Sequence, residues 1–103
     1  MTTTTPDPVP DVPLPAGAVR GDIWEENDPQ PERLIFGPER SVTDTNLCIW
    51  TSAIQWVDGR MATEPEPPRV HIEGDIDLNS DQARELAAVL LEAAAELDGW
   101  AHA

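Results

Sequence analysis

The segment from Asn46 to Val57 constrains the fold most, because it is apolar on both sides of an alternating strand pattern. One set of alternate positions holds Leu47, Ile49, Thr51, Ala53, Gln55 and Val57, and the other holds Cys48, Trp50, Ser52, Ile54 and Trp56. A strand with two apolar faces lies inside a sheet and needs cover on both sides. The chain must supply both covers, or leave one face to another molecule.

One helix is available to cover one of these faces. Asn79 is its predicted N-cap, and Gln82 three residues later completes a capping box. Gly99 predicts the C-terminal end, with Trp100 folding back on the last turn. The pattern therefore predicts a helix over residues 80–98. Its apolar stripe, with members three or four residues apart, is Ala83, Leu86, Ala87, Leu90, Ala94 and Leu97.

Shorter apolar runs supply partners for the central strand. Asp58 and Gly59 form a hairpin signal, and the return strand is interrupted by a proline-rich loop over residues 64–68. The remaining strand candidates are residues 22–25, 33–36 and 69–73. The sequence therefore predicts an α+β fold, in which a small antiparallel sheet of three or four strands carries one C-terminal helix on one face.

The first 20 residues differ from the rest in composition. They contain four consecutive threonines and five prolines. Because proline lacks a backbone donor and few residues here can bury apolar area, this stretch predicts a disordered arm. We therefore divide the chain into an arm over residues 1–20 and a single small α+β domain over residues 21–103.

The charge of the chain excludes several classes of partner. Lys and Arg number 6 against 20 Asp and Glu, which gives a formal net charge of −14. Such a chain repels phosphate backbones and anionic membrane surfaces, so we expect no direct nucleic-acid or membrane partner. The sequence shows neither a spanning apolar run nor a signal-peptide pattern. With Cys48 as the one cysteine, no intramolecular disulfide forms and a cytoplasmic location is expected.

An acidic segment before the helix invites a calcium interpretation. Asp75, Asp77 and Asn79 match the first ligand positions of an EF-hand loop. Ser80 stands where that loop needs glycine, and Leu86 stands where it needs a bidentate glutamate. The two mismatches argue against a calcium site.

Other chemistry-bearing patterns are missing from the sequence. His71, His102 and Cys48 have no metal-ligand spacing, and the glycines form no phosphate-binding loop. The chain is therefore predicted to have no cofactor, no metal and no enzymatic activity.

Tryptophan is the more informative residue type, with four in the chain. Trp50, Ile54 and Trp56 share one face of the central strand, and one helix covers only one face. Either these residues are part of an ordinary core, or they pack against a second copy or another protein. Because tryptophan is enriched at interface hot spots, we expect this face to mediate association.

A second candidate surface lies along the predicted helix. Glu85, Glu92 and Glu96 form an acidic edge that is expected to face a basic partner. Acidic groups in the C-terminal half of a helix oppose its dipole, so either helix propensity and packing offset this cost or a basic partner relieves it.

The segment from Val70 to Ala88, which reads VHIEGDIDLNSDQARELAA, resembles a known group of proteins. This is a loose group of small uncharacterised proteins of actinobacteria and their phages. They end in a strand, an acidic connector and an Ala/Leu-rich helix that opens on a Gln-Ala-Arg-x-Leu-Ala motif. Asn79-Ser80 here replace the Thr-Pro that is common in the group. The resemblance covers the last third of the chain and implies a fold and a source, with no activity.

These observations favour a non-catalytic accessory or regulatory protein that acts through protein–protein contact, as a homodimer of actinobacterial or actinophage origin. The alternative is an acidic mimic of DNA that inhibits a nucleic-acid-binding host protein.

Overall fold

The computed structural model describes residues 11–26, 30–64 and 66–102. It confirms the predicted α+β class, with an antiparallel sheet and one C-terminal helix. The strands are β1 (Arg20–Gly21), β2 (Glu32–Phe36), β3 (Arg40–Ser41), β4 (Cys48–Trp56) and β5 (Arg69–Glu73), and the helix is α1 (Ser80–Ala101).

Strand β4 is central, as its apolar pattern predicts. On one side it pairs with β2 along Ser52–Trp56 and with β3 at Cys48 and Ile49. On its other side it pairs with β5 along Cys48–Ser52. The predicted hairpin follows β4: Gly59 has a φ of 93°, and the returning chain forms a single bridge before the loop and β5. Strand β1 adds to the outer side of β2.

The alternation along β4 divides the sheet into two faces. We call the side toward α1 the helix face; on β4 it carries Ile49, Thr51, Ala53 and Gln55, all buried. Helix α1 packs there through an apolar side of Leu86, Val89, Leu90, Ala93, Leu97 and Trp100. The predicted stripe is therefore wrong in part, because Ala83, Ala87 and Ala94 are exposed.

The start of α1 follows the prediction, and its end does not. The Asn79 side chain accepts from the Gln82 N–H at 2.8 Å, and the Gln82 side chain accepts from the Asn79 N–H at 3.0 Å, which confirms the capping box. Gly99 does not end the helix, which continues to Ala101. Trp100 is 1 % exposed, and its burial against the sheet holds the last turn in helical form.

The described part of the N-terminal arm differs from the predicted disorder. Three of its carbonyl groups accept hydrogen bonds from core side chains: Val12 from Arg33, Pro13 from Gln55 and Ala16 from Trp100. Residues 11–19 therefore pack on the helix face, beyond the end that α1 covers. The predicted boundary after residue 20 falls inside β1, and residues 1–10 lie outside the described residues.

Candidate protein-binding face

The side of the sheet away from α1, which we call the open face, is covered neither by the helix nor by residues 11–19, the part of the arm that the structure describes before β1. On β4 it carries Cys48, Trp50, Ser52, Ile54 and Trp56, all partly exposed. Residues directly opposite one another in an antiparallel pair share a face. Register therefore adds Leu34 opposite Ile54, Phe36 opposite Ser52 and His71 opposite Trp50.

The predicted association residues Trp50, Ile54 and Trp56 thus lie together on the open face. Leu34 is 42 % exposed beside Ile54, and Phe36 lines the same grooves as Trp50. Two adjoining grooves of about 760 and 320 Å³ run over this surface. The result is a contiguous apolar patch of Leu34, Phe36, Trp50 and Ile54, and Trp56 extends the same face of β4 two residues beyond Ile54.

A local network fixes the centre of the patch. The Trp50 ring stacks on His71, with ring centroids 5.1 Å apart and planes inclined by 15°. His71 Nε2 lies 2.6 Å from Ser52 Oγ. These contacts hold the Trp50 ring in one orientation, so that a binding partner meets a pre-organised surface.

The Ser52–His71 pair has the spacing of a nucleophile and its base, a juxtaposition that sequence reasoning missed. Acyl transfer also needs N–H donors aimed at the developing oxyanion. Ser52 lies in the middle of β4 and pairs with Phe36 on one side and Arg69 on the other. Because the adjoining backbone groups serve these strand pairings, the arrangement favours a structural role for the pair. The missed signal was the cross-strand diagonal between Ser52 and His71.

Charged groups surround the patch. The Arg20 guanidinium lies 4.2 Å from the centroid of the Phe36 ring, and Arg69 lines the smaller groove. Glu39 and Glu73 line the larger groove, and Glu66 lines the smaller one. The rim therefore combines acidic groups with two arginines.

Cys48 lies at one end of the open face, in the larger groove. Burial raises the pKa of its thiol, and the carboxylates of Glu39 and Glu73 raise that pKa further. The thiol is therefore a weak nucleophile at neutral pH, because only the thiolate reacts.

The predicted acidic edge of the helix is mostly used inside the molecule. Glu96 accepts from Thr51 Oγ1 at 2.6 Å and from Arg40 Nη2 at 3.0 Å. Glu85 accepts from the Thr43 backbone N–H and hydroxyl, both at 3.0 Å. Both carboxylates are therefore already engaged by the chain itself.

Glu92 is the member of the predicted edge that extends into solvent. Its side chain is 71 % exposed and lies 3.7 Å from Arg40 Nε. Arg40 thus supplies, from within the chain, the positive charge that the last turn of the helix lacks.

Two further findings concern metal sites and membrane-spanning helices among the described residues. They contain no group of three or more His, Cys, Asp or Glu side chains that could hold a metal ion. Nor do they form a helix with the length and apolar character that crossing a membrane requires.

Comparisons with protein families, with curated protein sequences and with solved structures found no match.

Proposed function

We propose that this chain is a non-catalytic accessory or regulatory protein that acts through protein–protein contact as a homodimer. Its open face binds a second protein. The proposal includes a cytoplasmic location and an actinobacterial or actinophage source, in line with the resemblance of residues 70–88.

The observation that carries the proposal is the apolar patch on the open face. Trp50 and Trp56 give it two aromatic anchors, and Leu34 is 42 % exposed. Contiguous apolar surface of this kind marks an interaction site, and tryptophan dominates the energetics of such sites. The stacking of Trp50 on His71 reduces the entropy lost on binding.

Charge supports a basic partner for this face. Three carboxylates, of Glu39, Glu66 and Glu73, stand on its rim against two arginines, and the chain carries a formal net charge of −14. A second copy placed face to face brings these like charges together. A protein with an apolar centre and a basic rim complements them instead.

The acidic mimic of DNA receives no support from the helix. Glu85 and Glu96, two of the three carboxylates of the acidic edge predicted to face a basic partner, accept hydrogen bonds from Thr43, Arg40 and Thr51. These hydrogen bonds fix the two carboxylates against the chain itself, so of this edge Glu92 is the one that extends into solvent.

A matched pair of exposed leucines tests the proposal. Leu34 lies on the open face, and Leu91, which is 73 % exposed, lies on the outer side of α1. Wild type, Leu34→Glu and Leu91→Glu serve as baits for proteins of the source cell. Each captured protein is then purified and titrated against the three forms by isothermal calorimetry.

The expected result is a partner whose affinity for Leu34→Glu falls by about tenfold or more while its affinity for Leu91→Glu is unchanged. Trp50→Ala is expected to weaken binding by about 30-fold, as a hot-spot residue does. Raising the salt to 1 M leaves most of the affinity, because the centre of the contact is apolar. Equal binding by the two leucine variants contradicts the proposal, and binding that vanishes in salt favours the mimic.

A further inference from the structure

Strand β5 forms an edge of the sheet, and among the described residues no segment pairs with its outer side. Ile72 of this strand points to the helix face and is still 46 % exposed, because no described segment lies beyond it at the edge. The backbone groups along such an edge can pair with a strand of another chain.

We propose that two copies of this chain pair antiparallel through β5, with the two-fold axis at His71. The inference rests on the homodimer of the proposed function and assigns its interface. In this register Arg69 lies opposite Glu73 of the second copy, and Val70 lies opposite Ile72 of the second copy. Both pairings occur twice, because the contact is isologous.

The sequence of β5 is thus complementary to a second, antiparallel copy of itself. Opposite charges facing each other across an antiparallel pair stabilise it, and so do facing aliphatic side chains. Arg69 and Glu73 both point to the open face, since they lie opposite Ser52 and Cys48 of β4. Val70 and Ile72 both point to the helix face, opposite Thr51 and Ile49.

The alternation of faces selects this register. Moving the axis by half a step places Val70 opposite His71, two side chains that point to different faces, which a continuous sheet does not allow. Moving it by a full step to Val70 or Ile72 leaves two of the five residues unpaired and breaks both ion pairs. The register centred on His71 uses every residue of the strand.

The charge state of the edge agrees with this assignment. Within the described residues, Arg69 is the one arginine without a hydrogen bond, ion pair or ring contact; the other five contact Phe36, Gln55, Glu96, Asp58 and Asp81. Glu73 also forms no ion pair in that part of the chain. Protective charges on an edge strand repel a second edge, whereas these two have opposite signs and attract their counterparts.

The pairing has a consequence for the open face. A two-fold axis normal to the sheet leaves both helices on one side and both open faces on the other. The two apolar patches then lie side by side in one sheet, with a Trp50–His71 stack from each copy close to the axis. The dimer thereby presents a doubled binding surface to the partner.

Charge reversal tests the pairing in the full-length chain. Sedimentation velocity over a range of concentrations is expected to give a dimer of twice the 11.3 kDa chain mass for the wild type. Arg69→Glu and Glu73→Arg each replace two attractions by two repulsions and are expected to raise the dimer Kd by about tenfold or more. The double variant R69E/E73R restores both attractions in reverse and is expected to return the Kd to within about threefold of wild type.

Two controls match the charge changes at exposed positions of α1. Arg84→Glu and Asp98→Arg alter the net charge as the test variants do and are expected to leave the Kd unchanged. A monomeric wild type overturns the proposal. Single variants no weaker than these controls, or a double variant as weak as the singles, also overturn it.

Leu34→Glu separates this inference from the proposed function. It changes the open face without touching β5, so the dimer is expected to persist while partner binding is lost. A dimer that dissociates in Leu34→Glu and ignores the charges of β5 is assembled face to face, which overturns the β5 assignment. Unchanged partner binding by Leu34→Glu, together with a successful charge reversal, overturns the binding role of the open face alone.

Discussion

Both faces of the sheet carry apolar side chains, and the two faces differ in what covers them. On the helix face Ile35 and Ile49 are 0 % exposed, under α1 and the N-terminal arm. On the open face Trp50 and Ile54 of the same central strand stay partly exposed. An apolar strand face therefore indicates that the face must be covered. Its pattern does not indicate whether the rest of the chain or another molecule covers it.

The largest expected effect on stability comes from replacing one tryptophan on each face by alanine. Trp100→Ala is expected to lower the free energy of unfolding by about 4 kcal/mol, because it empties a fully buried site and releases the Ala16 carbonyl. Trp50→Ala is expected to cost about 1 kcal/mol, because its ring is partly in water already. Urea denaturation measures both. Equal losses mean that the two faces are equally part of the folded core.

A smaller effect is expected at the polar cluster beneath α1. A Cβ on Gly37 collides with both Glu96 Oε1 and Thr51 Oγ1, so Gly37→Ala is expected to cost about 2 kcal/mol through overpacking. Gly99 has open space around it within α1, so Gly99→Ala is the matched control and is expected to add about 0.5 kcal/mol. Thermal unfolding compares them. A neutral Gly37→Ala means that the Thr51–Glu96–Arg40 cluster yields without cost.

The smallest effect concerns the Cys48 thiol on the open face. Because its pKa is raised, less thiolate is present at pH 8 in the folded chain than in the unfolded chain. Alkylation by iodoacetamide is therefore expected to be slower in the folded chain than in urea. Glu39→Gln is expected to speed the reaction of the folded protein, and Glu64→Gln, in the exposed loop, is its control. Equal rates for the folded and unfolded forms contradict the raised pKa.

The raised pKa of Cys48 also makes the free energy of unfolding depend on pH. The folded chain holds the Cys48 proton more tightly than the unfolded chain does, so this contribution is complete below the unfolded pKa. It is lost as the pH rises through the folded pKa. A pH series of urea midpoints for wild type and Cys48→Ala isolates this contribution in the alkaline range.

Local signals in the sequence predict local structure correctly. The capping box at Asn79 and Gln82 and the central position of β4 depend on spacings of a few residues, and both appear in the structure. The clustering of Trp50, Ile54 and Trp56 on one face follows from the two-residue period of a strand.

Features that depend on distant residues were not predictable in the same way. Gly99 reads as a helix stop, and its position inside α1 is explained by the burial of Trp100 against the sheet. The sequence around Glu96 predicts a solvent-exposed carboxylate. In the structure this carboxylate accepts a hydrogen bond from Arg40, which lies 56 residues earlier in the chain. The arm reads as disordered, and its order depends on three donors on β2, β4 and α1. In each case tertiary contacts override a local propensity.

The hydrogen bond from Trp100 to Ala16 joins residues 84 positions apart in the chain. Closing so large a loop is entropically costly, and its reward comes only when both ends are in place. We therefore expect residues 11–19 to dock late in folding, after α1 has packed on the sheet. During synthesis the hairpin that follows β4 can form early. The helix face is completed only after Trp100, in the last turn of α1, has been synthesised.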